Sequence, residues 1–163
     1  MWLSHTRAMA VNPEALAAFE ALIGAIVPSI GVRVYELATL GAAGAVGSRH
    51  CLLAHARKSL HGILDESEVV SAARDGGEGM PLRDAAVVRY AAKLSTDAAG
   101  MTDADSQALR DVGFNDRQIL DITLAAAARN YFSRALQALA VPSEDIAELS
   151  PAVRDGVLAA LND

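Results

Sequence analysis

Apolar residues recur at helical spacing along most of the chain, and no segment alternates with the period of two that a half-buried strand needs. Asn12 is placed to cap a first helix with Pro13 at its first position, where the fixed φ of proline fits. Leu16, Phe19, Leu22, Ile23 and Ile26 give that helix an apolar stripe, and Pro28 should end it. A second helix is predicted from about Val32 to Val46. Between Arg33 and Arg49 its one charge is Glu36, so it should be largely buried. Gly47 breaks it, Ser48 is placed to cap a third helix running to about His61, and Gly62 is the stop signal.

A short acidic-started helix follows at Asp65–Arg74, then the loop DGGEGMP at Asp75–Pro81. A fifth helix is predicted over Leu82–Thr96. The sixth carries a capping signature, Thr102 with Asp105, and ends at Gly113. The seventh and longest, Asn115–Leu139, has Ile119, Leu120, Ile122, Leu124, Ala127, Phe132, Leu136 and Leu139 as its core stripe, with Pro142 beyond it. A short amphipathic helix, Pro151–Leu161, closes the pattern. The expectation is one all-α domain over residues 1–163, a helical bundle.

Composition agrees with this. Aromatic residues are 4% of the 163, and Ala and Leu dominate, which suits helices whose backbones approach over small side chains. The net charge is −6, and the 14 basic residues do not cluster, which argues against nucleic acid as a partner. No uncharged stretch is longer than Leu37–Ser48, too short to span a bilayer, and the N-terminus lacks the apolar core of a signal peptide. No membrane association and a cytoplasmic location are therefore expected. There is no glycine-rich phosphate loop and no metal-ligand cluster, so no cofactor or metal is expected.

Chemistry concentrates in ELATLGAAGAVGSRHCLLAH, Glu36–His55. Ser48, Cys51 and His55 fall at i, i+3 and i+7 and share one helix face. The helix N-terminus, His50 and His55 all favour a thiolate at Cys51, and a thiolate is the nucleophilic form. If Glu36 packs against the start of the third helix, burial would raise its pKa and an imidazole could share its proton. Each residue also has a plainer reading. Cys51 could be a small core hydrophobe, His55 a hydrogen-bonded core histidine, Ser48 a helix cap, and Glu36 the partner of Arg33 or Arg49. His5 and His61 read as surface residues. Arg129, Asn130 and Arg134 interrupt the seventh helix and read better as contacts between subunits than as the lining of a site.

The Glu36–His55 stretch resembles the alkylhydroperoxidase D-like branch of the carboxymuconolactone decarboxylase family. Redox members of that family carry an acidic residue and, twelve positions on, Cys-x-x-Cys-x-x-x-His, often with His before the second Cys. Glu36, His50, Cys51 and His55 match those positions, and the first Cys position holds Ser48. The segment from Pro81 to Pro142 is similar to the helix–loop–helix tail of peroxidase-related members, so the resemblance covers roughly residues 13–142. It implies an AhpD-like helical bundle that assembles as a trimer or hexamer. It also implies a thiol-dependent hydroperoxide reductase, with Cys51 attacking peroxide, Glu36, His50 and His55 relaying protons, and Ser48 able to hydrogen-bond the thiolate. Serine cannot resolve the sulfenic acid as a disulfide. Regeneration would therefore fall to an external thiol, a dihydrolipoyl-type reductant or a Cys of another chain. The alternatives are a decarboxylase-type lyase, or a catalytically impaired helical oligomer that senses redox state.

Overall fold

The computed structural model describes residues 5–143 and 148–161. Within them the chain forms eight α-helices and one 3-10 turn, with no strand. They are α1 (His5–Met9), α2 (Pro13–Ala45), α3 (Arg49–Ser59), α4 (Glu66–Arg74), α5 (Leu82–Asp97), α6 (Asp103–Asp111), α7 (Asp116–Ala138) and α8 (Pro151–Ala159); the 3-10 turn is Ala98–Gly100. The all-α expectation is met.

The predicted starts hold because the caps form. Asn12 Oδ1 accepts the Ala15 amide at 2.9 Å, and Asn115 Oδ1 accepts that of Gln118 at 2.9 Å. Asp65 and Glu68 exchange a capping box, and Asp105 Oδ2 accepts the Thr102 amide at 2.7 Å. Each such cap contributes about 1 kcal/mol.

The first two predicted helices are joined. The helix runs through Pro28, and the break comes at Gly31, with φ 81° and ψ 158°. Proline removes one backbone donor, but only a residue tolerant of positive φ could make the turn, and glycine is that residue.

Helix α2 is the axis of the bundle. It packs on α7, α5, α3 and α4, while α8 covers α4 and α3. Residues 34–43 are buried without exception. The close approach over small residues is real: a Cβ at Gly41 would lie 2.7 Å from the Val88 carbonyl oxygen, and one at Gly44 would overlap that of Ala73.

The N-terminal half of α2 is different. It is apolar yet mostly uncovered, with Leu22 40% exposed. By length and composition α2 would reach across a membrane, although its uncharged stretches are short. Its buried C-terminal half is the core of the bundle. On α7, Leu120, Ala127 and Leu139 are exposed, so periodicity overstated that core stripe.

Candidate active site

The helix break at Gly47 (φ 65°) turns the chain from α2 into α3 and brings the first turn of α3 against α7. Cys51 is thereby 1% exposed and part of the hydrophobic core, yet two polar groups reach its sulfur. The Ser133 hydroxyl on α7 donates to Cys51 Sγ at 3.2 Å, and Arg129 Nη1, one turn earlier, reaches it at 3.7 Å. Arg129 is itself buried, 5% exposed, and its Nη2 donates to the Tyr35 hydroxyl at 3.2 Å.

The second cluster stands beside the first. His55, one turn after Cys51, has Nδ1 2.6 Å from Glu36 Oε2. Glu36 is fully buried in α2, and its other oxygen is 2.8 Å from Lys58 Nζ. Burial pushes the Glu36 carboxyl up, but the His55 hydrogen bond and the Lys58 ammonium outweigh it, so the carboxyl is held below its usual range. This reverses the rise expected from the sequence, because His55 and Lys58 together outweigh desolvation.

Burial, reinforced by the Arg129 and Lys58 charges, lowers His55 from 6.5 to about 4 against the pull of Glu36. At neutral pH the imidazole is therefore uncharged beside an ionised carboxylate. Its Nδ1–H donates to Glu36, which leaves Nε2 as the basic nitrogen.

A cavity of about 310 Å³ joins these groups. Its polar wall is His50, Cys51, His55 and Arg129. Its apolar wall is Met9, Leu16, Phe19, Ala54 and Phe132, with Glu20 at the edge. Phe19 and Phe132 lie with ring centroids 5.0 Å apart.

Four of the five residues expected from sequence thus converge: Cys51, His55 and His50 line the cavity, and Glu36 holds His55 from behind. Ser48 stands apart. It is the residue before α3 and buried, but its side chain makes no capping hydrogen bond. It lines a separate hollow with Gln137 and Val141. The hydroxyl on the sulfur belongs to Ser133.

Arg33 is not the partner of Glu36 either, being bound to Glu68 and Asp84, and Arg49 is exposed. Sequence reasoning set Arg129 aside as a contact between subunits; it is part of the cavity. Asn130 is half-buried and Arg134 exposed. His61 is exposed as expected, and the side chain of His5 lies outside the described residues.

No protein-family model matches the chain, and no curated protein does. Solved structures do match. An uncharacterized peroxidase-related protein from Silicibacter sp. TM1040 is 24% identical with a TM-score of 0.73, over 85% of this chain and 74% of that one. The alkylhydroperoxidase AhpD core of an uncharacterized peroxidase-related protein from Ralstonia eutropha JMP134 is 21% identical with a TM-score of 0.71, over 94% and 78%. The fold is the AhpD-like one. A cysteine-to-alanine variant of the debrominase Bmp8, in complex with 2,3,4-tribromopyrrole, shares the AhpD-like fold with this chain at 17% identity and a TM-score of 0.73, over 93% and 79%.

Proposed function

We propose that the protein is a thiol-dependent hydroperoxide reductase of the AhpD-like, antioxidant kind, with Cys51 as its nucleophile. The observation that carries this reading is the setting of Cys51 Sγ: in a cavity wall, under the Arg129 guanidinium and the Ser133 hydroxyl, beside a neutral His55 backed by Glu36.

In this reading His55 Nε2 takes the Cys51 proton, and Arg129 is the counter-charge of the thiolate. The sulfur attacks the terminal oxygen of the hydroperoxide. An S–O bond forms, the O–O bond breaks, and the departing alkoxide takes the proton back from His55. Cys–SH and ROOH become Cys–SOH and ROH. One external thiol then displaces water to give a mixed disulfide, and a second releases Cys51 and a disulfide of the reductant. Lys58 keeps Glu36 ionised and so keeps the His55 proton on Nδ1.

The reductant is a small thiol or a dihydrolipoyl group, since Cys51 is the one cysteine of the sequence. We also place a contact between copies of the chain on the uncovered half of α2, where Leu22 and Tyr131 flank an apolar groove with Ala18 and Ala128.

The test is peroxide consumption with a dithiol supplied. Cys51→Ser should abolish it, and a sulfenic-acid trap should label the wild type at Cys51. Ser48→Cys with dihydrolipoamide should raise turnover. Peroxide consumption that survives in Cys51→Ser would end the reading. The ring pair Phe19–Phe132 in the wall favours one second reading, thiol-driven removal of halogen from an aromatic ring, which halide release from a bromopyrrole would reveal.

A further inference from the structure

The guanidinium of Arg129 has five N–H donors. Two are engaged, one by Cys51 Sγ and one by the Tyr35 hydroxyl. Its Nε is buried without a hydrogen-bond partner among the described residues. No described carboxylate lies within ion-pair distance of Arg129, because Glu36 is committed to His55 and Lys58. Phe132 offers it only a ring face, 5.5 Å from the centroid.

A buried guanidinium is kept in such a place at a cost of several kcal/mol unless an anion meets it. Cys51 Sγ answers to one N–H. Of the rest, Nε–H is sealed in the protein, while Nη1 and Nη2 each keep a second N–H, a pair able to meet a carboxylate. The cavity that Arg129 lines also has an apolar wall, which includes Leu16, Phe19 and Phe132.

We propose that this cavity binds an amphipathic carboxylate, with its acid group on Arg129 and its apolar body against Leu16, Phe19 and Phe132. The proposal deepens the reductase reading by naming the ligand class of the same site. It places an acid group on the molecule that reaches Cys51, so a bare hydrogen peroxide fills only part of what the cavity offers. Glu20 at the rim is the one carboxylate of the lining, exposed and in no ion pair among the described residues; it weakens the binding of an anion without preventing it.

Binding is measured calorimetrically with the intact protein, without any peroxide, so the result is independent of whether Cys51 turns over. The probes are 4-phenylbutyrate and its neutral counterpart 4-phenylbutan-1-ol. The carboxylate should bind at least ten-fold tighter, about 1.4 kcal/mol, and should slow alkylation of Cys51 by iodoacetamide. Arg129→Gln should erase the preference while the alcohol binds as before, and Phe19→Ala should weaken both probes alike. Should Arg129→Gln fail to fold, Arg129→Lys, which keeps the charge and loses the paired N–H donors, should reduce the preference several-fold, and an unchanged preference there would equally overturn the proposal. Equal affinities in the wild type, no binding of either probe, or a preference that survives Arg129→Gln would overturn the proposal.

Discussion

Two arginines, one on α2 and one packed against it from α7, show how differently one residue type is used in this chain. Arg33 sits where α2, α4 and α5 meet. Its Nη2 is 2.8 Å from Asp84, its Nη1 2.9 Å from the Ile63 carbonyl, and Glu68 takes a further pair of N–H groups. Its charge is matched twice over, and these bonds raise its pKa above the ordinary arginine value. Arg129 is more deeply buried and has a sulfur, a phenol and a ring face, but no carboxylate. The first arginine fastens helices to one another. The second leaves donors open in a cavity, and a buried cation left open is the mark of a site rather than a joint.

The two regions should part first in acid. The unfolded chain protonates His55 near pH 6.5, whereas the folded chain resists until about pH 4. Stability present above pH 6.5 is therefore lost progressively as the pH falls to about 4, on the order of 3 kcal/mol. Glu68, held below its usual range by Arg33, adds a loss only as the pH falls below its ordinary 4.5. Urea unfolding across this range should show the earlier slope, and His55→Gln should flatten it while leaving the loss below 4.5. A slope unchanged in that variant would contradict the neutral imidazole.

Next in size is Arg129→Met. Peroxide reduction should fall about 100-fold, near 2.7 kcal/mol of barrier, while thermal unfolding shows stability unchanged or higher, because a buried charge has been removed. Arg33→Met should do the opposite. Stability drops by about 1–2 kcal/mol, a figure already reduced for the partial exposure of that side chain, and activity per folded molecule holds. If both variants lose stability and neither loses activity, the distinction between joint and site collapses. Smallest is Ser133→Ala, which removes one neutral donor from the sulfur. It should slow peroxide reduction by less than about ten-fold at constant stability.

Much of this was legible in the sequence. Caps at Asn12 and Thr102 are local chemistry, and their helices start where those caps say, whereas Ser48, read the same way, precedes α3 without capping it. Cys51 and His55 share a helix face, and Glu36 lies on the preceding helix, so the one turn at Gly47 brings the three together. Arg129 and Ser133 lie 78 and 82 residues from Cys51. Nothing local announces that distance closed; only packing of α7 on α2 and α3 does so. The available signal was Arg129, Asn130 and Arg134 interrupting the core stripe of α7, and it read better as a subunit contact. Lys58 was hidden for the same reason, an ordinary surface-type lysine that one turn of α3 carries from His55 to the far oxygen of Glu36. Gly31 was masked by Pro28, the stronger helix breaker on paper.

The lone sulfur sets a stoichiometry. A reductase with a second thiol in reach can bank its oxidation as an internal disulfide and wait. In the proposed reading this chain has nowhere to bank it, so without reductant the first equivalent of peroxide leaves Cys51 as the sulfenic acid and turnover ends there. With excess oxidant the same atom climbs toward sulfinic acid, from which an ordinary thiol cannot bring it back. Supply of thiol, more than affinity for peroxide, would then govern how long such a protein lasts.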